Sequence, residues 1–158
     1  MFDPQEREGN GTEDLVDVLL AQHARIEELF LLVAVGTGDA RREVFEELVR
    51  LLALHEKAER QIVHPVAREV PGAGDVVVED RLAEERQVGE MLEDLAGAGM
   101  DAPGFEEAVV RLREAALRHA RYEERYEFAH LRRHVRPGRL LDLAAQVLDL
   151  QRRAATAA

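Results

Sequence analysis

At 158 residues with no cysteine, the chain has the length of one domain and no thiolate for a disulfide or a metal, so any metal must be held by nitrogen and oxygen. With 21 basic against 32 acidic residues the formal charge is −11, which argues against a nucleic-acid or anionic-membrane partner. No run approaches the roughly 18 apolar residues of a membrane span, and a soluble, cytoplasmic protein is expected.

The opening MFDPQEREGNGTED is polar and acidic and lacks the apolar run of a signal peptide; residues 1–11 are expected to be a flexible segment. A first helix is predicted from Thr12 to Val35, stopped by Gly36-Thr37-Gly38. A second runs from Asp39 to Glu69, with Pro65 expected to kink its last turn. After Pro71-Gly72-Ala73-Gly74, a third spans Asp75 to Ala96 and takes in Val76-Val77-Val78, since three β-branched residues alone make no sheet. Gly97 to Gly104 separates it from a fourth, Phe105 to Val135; Pro137-Gly138 ends that helix and a shorter amphipathic one follows from Arg139 to Arg153. Residues 12–136 are thus expected to form an all-α, antiparallel up-down-up-down four-helix bundle, and 137–158 a short additional C-terminal helix and tail.

Apolar residues recur three and four apart along each long helix. The seams read Leu19, His23, Ile26, Phe30; Leu52, His55, Glu59, Ile62, Val66; Leu82, Glu85, Gly89, Leu92; and Ala116, His119, Glu123, Tyr126, His130. In every seam, residues of metal-ligand type stand where apolar ones belong. Counting about 1.5 Å per residue from each turn places His23, His55, Glu59, Glu85, His119 and Glu123 within about one turn of a common level. The layer repeats itself: His23 precedes His55-x-x-x-Glu59 by 32 residues, and Glu85 precedes His119-x-x-x-Glu123 by 34. Positions i and i+4 stack on one helical face, so each pair aims at a shared point. Burying three carboxylates unpaired costs several kcal/mol each, against a total stability of about 5–15 kcal/mol. No arginine occupies these seam positions, so divalent cations are the expected compensation.

These residues resemble the hemerythrin-type HHE cation-binding family over about Asp14 to Leu131. The resemblance is carried by Asp14-Leu15-Val16-Asp17, Gln22-His23, Leu51-Leu52-Ala53-Leu54-His55-Glu56, Glu59, His64-Pro65, His119, Glu123-Glu124 and Phe128. It implies a four-helix bundle with two non-heme iron ions, carboxylate- and oxo- or hydroxo-bridged. His23 and His55 would bind one iron and Glu85 and His119 the other, with Glu59 and Glu123 as bridges. Family members usually carry histidine at the position of Glu85, and oxygen carriers have a second histidine where this chain has Gly89. The departure makes the centre rich in carboxylates, which favours ferric iron and disfavours reversible oxygen carriage; Gly89 is expected to leave room for a small ligand. The ferritin pattern, Glu-x-x-His, occurs once, at Glu127 to His130, without a partner in the second helix.

Among the remaining candidates, Glu27 is expected on a solvated face and Glu56 off the core face. Tyr126 is either packing, a hydrogen-bond donor to the ligands or a redox-active phenol, and Tyr122 packs between helices. His130 lies too far along the axis from His119, and His64 and His134 are expected to be exposed. The expected function is peroxide decomposition, with dioxygen or nitric oxide binding behind it. The alternatives are a non-enzymatic iron, redox or oxygen sensor or iron donor, and a metal-free structural bundle whose last helix packs on a protein partner the sequence does not identify.

Overall fold

The structure, a computed structural model, describes residues 12–157 other than 71 and 73, and the side chains of 74–78 are not among those described. The segment expected to be flexible, 1–11, lies outside the described residues, as do Pro71 and Ala73 of the predicted turn.

Helix α1 spans Leu15–Val35 and starts three residues later than predicted. Asp14 caps it, its carboxylate accepting from the Asp17 N–H at 2.8 Å while the Asp17 carboxylate accepts from the Asp14 N–H at 3.1 Å. Helix α2, Gly38–Ala58, does not continue directly into α3, His64–Glu69; a π-helical turn, Glu59–Val63, joins them. In that turn the His64 N–H bonds the Glu59 carbonyl five residues back. Pro65, having no N–H to place, sits at the start of α3, so the disruption expected at the proline is a widened turn just before it. Helix α4 covers Gly74–Ala98, including the three valines, and α5 covers Phe105–Tyr122. Gly104 enters α5 at φ 81°, a left-handed conformation that suits glycine. A second π-helical turn, Glu123–Phe128, leads into α6, Ala129–His134. Helix α7, Pro137–Thr156, has 20 residues against 21 in α1, so it is not the short element predicted; Pro137 opens it as a first-turn proline.

Helix α1 packs on α2 and α5, α4 packs on α5 and on α2 and α3, and α7 lies across α1 and α2. The core falls into two apolar clusters. One joins Leu15, Leu19, Val63, Ala67, Phe128 and Leu131 to Leu140, Leu143 and Val147 of α7. The other joins Ile26, Phe30, Leu48, Leu52, Val88, Leu112 and Ala116. His23, between Leu19 and Ile26, and the two HxxxE pairs mark the level that divides them. Each π turn begins at the glutamate of its pair and adds one residue, which moves the inward face by one position. Beyond Glu59 the core therefore takes Val63 and His64 rather than Ile62, and beyond Glu123 it takes Glu127 and Phe128 rather than Tyr126. Among the described residues no helix is long and apolar enough to cross a membrane.

Candidate metal centre

All six residues singled out from the sequence are buried and converge between the two clusters. They form two nests: His23, His55, Glu59 and Glu123, and Glu59, Glu85, His119 and Glu123, with one donor atom per residue lying within 4.8 Å of the others in each set. Glu59 and Glu123 belong to both. In the first nest, His55 Nε2 is 2.9 Å from Glu59 Oε1, and His23 Nε2 is 3.5 Å from Glu123 Oε1. In the second, His119 Nε2 stands 3.2 Å from Glu123 Oε1, 3.5 Å from Glu85 Oε1 and 3.8 Å from Glu59 Oε2.

The outer nitrogen of each imidazole is engaged. His55 Nδ1 meets Gln22 Oε1 at 2.8 Å, His119 Nδ1 meets Glu84 Oε2 at 2.9 Å, and His23 Nδ1 meets Glu124 Oε1 at 3.1 Å. These partners accept hydrogen bonds, so Nδ1 carries a proton and, in the neutral imidazole, the Nε2 lone pair faces inward, the arrangement that metal-binding histidines adopt. In consequence His23 Nε2 and His55 Nε2 face each other at 3.0 Å, two acceptors with nothing to share unless a cation lies beside them. Both carboxylate oxygens of Glu59 and of Glu123, Glu85 Oε2 and His119 Nε2 are buried without a hydrogen-bond partner, an expense protein interiors rarely leave uncompensated. The donor set of imidazole and carboxylate suits iron, and the residues present fit a metal pair.

Electrostatics point the same way. Burial, followed by the charge of Glu59, holds the Glu123 carboxyl well above the usual range. Burial would also raise Glu59, but His55 and His119 outweigh it and hold that carboxylate well below. Without a cation, the two shared carboxylates do not both ionise. Burial lowers His23 to about 4, helped by His55. Burial alone would lower His119 as well, but the neighbouring carboxylates of Glu59 and Glu85 push it up to about 10.

Several positions differ from expectation. His64, expected to be exposed, is 1% exposed; the π turn swings it into the core, where Nε2 donates to Glu85 Oε1 and Nδ1 donates to Glu127 Oε1 at 2.8 Å. Burial opposes its charge, but the bonds to Glu127 and Glu85 prevail and raise it to about 10. Phe128, at the same fifth position after the other shared glutamate, stacks on His23 at 5.3 Å. Glu56, expected off the core face, is buried, and the room beside Gly89 is filled by it: a Cβ at Gly89 would stand 3.6 Å from Glu56 Oε2. Tyr126 is 47% exposed and its ring lies 4.5 Å from that of Tyr122. The Arg81 guanidinium stacks over Tyr122 at 3.3 Å and bonds Glu84, the partner of His119, at 3.0 Å. Glu27 pairs with Arg121 at 2.6 Å near the surface. A cavity of about 20 Å³ opens onto His23, His55, Glu59, His119 and Glu123, walled by Ile26, Leu52, Val88 and Ala116, with Glu56 on its lining.

Comparison with known proteins agrees with this architecture. The family described as the Hemerythrin HHE cation binding domain matches residues 14–131 and stops short of α7. A curated relative from Nostoc sp., named DNA nickase, is 26% identical over 128 residues, covering 79% of this chain and 36% of that protein; the chain thus spans little more than a third of its relative's length. The crystal structure of a hemerythrin HHE cation binding domain-containing protein from Mycobacterium kansasii superposes with a TM-score of 0.75 at 21% identity, over 89% of this chain and 86% of that one. That likeness shows the shared fold.

Proposed function

The chain belongs to the hemerythrin HHE cation-binding domain family, and from that premise we propose that its centre holds two iron ions and decomposes peroxide, with dioxygen or nitric oxide as lesser ligands. The observation that carries this reading is the pair of nests sharing Glu59 and Glu123. His23 and His55 would hold one iron, Glu85 and His119 the other, and the shared glutamates would bridge them. Bound iron would supply Lewis acidity and a change of redox state to a small ligand beside it.

The protein's own contribution is orientation, exclusion and proton supply. Gln22, Glu84 and Glu124 fix the imidazoles, and His64 fixes Glu85. The cavity is little larger than a water needs, so it suits a molecule of one or two heavy atoms and excludes organic substrates. Burial first, then the charges of Glu85 and Glu59, raise Glu56 to about 7. Glu56 lines the cavity, so in the metal-free protein its carboxyl can hold a proton there near neutral pH. Peroxide has O–H groups with which to exchange that proton, whereas dioxygen and nitric oxide have none, which is why peroxide comes first. The name DNA nickase belongs to a longer protein, and a charge of −11 speaks against this chain approaching a polyphosphate.

Elemental analysis of aerobically purified protein, with its ultraviolet-visible spectrum and a peroxide assay, tests the proposal. Two irons per chain with sustained peroxide loss is the expected result. Two irons without turnover would favour a sensor or an iron donor. No iron, and none taken up on anaerobic addition of ferrous salt, would end the di-iron reading.

A further inference from the structure

Among the described residues of α7, Gln151 is the only buried polar side chain. It forms a reciprocal amide pair with Gln22 of α1: Gln22 Nε2 donates to Gln151 Oε1 at 2.8 Å, and Gln151 Nε2 donates to Gln22 Oε1 at 3.0 Å. Gln151 Nε2 also reaches the Leu54 carbonyl at 3.4 Å. The oxygen of Gln22 that takes this bond is the one that accepts from His55 Nδ1.

We propose that Gln151 is a positioning residue for His55, fixing through Gln22 which ring nitrogen carries the proton and which one faces the centre. Its functional meaning rests on the two-metal reading above. The argument turns on the difference between an amide and a carboxylate. His23 and His119 are held by Glu124 and Glu84, carboxylates that can only accept. His55 is held by an amide, which presents either an acceptor or a donor depending on which way it is turned. Turned over, Gln22 would offer its NH₂ to His55 Nδ1, draw the proton to Nε2 and aim an N–H at the centre.

Three contacts prevent that. If Gln22 alone turned, its NH₂ would face the NH₂ of Gln151 and oxygen would face oxygen. If both turned, Gln151 Oε1 would meet the Leu54 carbonyl, two acceptors in contact. The carbonyl that decides the matter belongs to the residue before His55, so the orientation is referenced to the backbone that carries the ligand. Helix α7, which lies beyond the family match, thereby becomes part of the centre.

The test compares Gln151→Met, similar in size but without the amide, with Val147→Ala, which loosens the buried packing of α7 without touching the amide pair. Anaerobic ferrous-iron titration gives affinity, and the ¹⁵N spectrum of the His55 ring in metal-free protein gives the tautomer. Gln151→Met is expected to weaken iron binding about tenfold, the low end for loss of an outer partner, and to reveal Nε2–H; Val147→Ala should change neither. Adding Gln22→Glu to Gln151→Met should restore both, because a carboxylate cannot be turned the wrong way. Wild-type affinity and tautomer in Gln151→Met would overturn the proposal, as would equal weakening in Val147→Ala or absence of rescue. If the wild type binds no iron, the two-metal reading fails while the tautomer comparison still decides the role of Gln151.

Discussion

Glu59 and Glu123 are both fully buried, but in the metal-free protein only Glu123 is forced toward its neutral form, while Glu59 is held ionised by His55 and His119. Glu123→Gln is therefore expected to act oppositely in the two states. It removes a carboxyl that burial and Glu59 already force toward its neutral form, so the metal-free variant should melt higher than the metal-free wild type. About 1 kcal/mol of relief corresponds to roughly 2–4 °C for a chain of this size. The same variant should bind less iron, since a neutral amide replaces a shared anionic bridge. Calorimetry of both forms, with and without iron, checks the crossing of the two trends. His64 and His119 give a pH signature. Their folded values, raised to about 10, lie above an ordinary 6.5, so the folded state binds more protons between those limits. Their contribution to metal-free stability is complete below about pH 6.5 and is lost as pH rises through 10. Urea unfolding of metal-free protein from pH 6 to 10 should show that decline, and His64→Phe should flatten part of it.

At the scale of elements, the straight α-helical geometry was legible in the sequence and the departures from it were not. Spacing of i and i+4 within Glu59 and Glu123 pairs, and counting residues back from the glycine turns, need only a regular helix, and they were enough to bring six side chains to one level. The π turns leave no such mark: ERQIV and EERYEF read as ordinary helix. Carrying the α period through them placed Ile62 and Tyr126 inward and His64 outward, each one position from where the widened turn puts it. The length of α7 is hidden for a different reason: Pro137-Gly138 reads as a helix stop, whereas proline also suits a helix start. That helix is no appendage. Leu140 is buried in the cluster it shares with α1 and the first π turn, and Leu140→Ala should cost about 2–5 kcal/mol. A lower urea midpoint at unchanged slope would confirm a packing loss, and a change under about 1 kcal/mol would show α7 to be loosely seated.

For the whole molecule, the polar level between two apolar clusters would make a bound metal a structural partition as well as a reactive one. Removing it leaves facing acceptors and unpaired carboxylates in the middle of the bundle while both ends keep their packing. Chelation should therefore loosen the centre first. Hydrogen exchange is expected to quicken in the stretches around His55 to His64 and His119 to Phe128, with the segment from Leu29 to Val33 nearly unchanged. Uniform loss of protection would instead show that the clusters depend on each other through the metal.

The chain has no tryptophan and two tyrosines, whose rings lie 4.5 Å apart, Tyr122 immediately before Glu123 and Tyr126 within the second π turn. All intrinsic tyrosine emission therefore originates at one flank of the centre. Iron so close should quench it, which makes the protein's own fluorescence a label-free gauge of how full the site is.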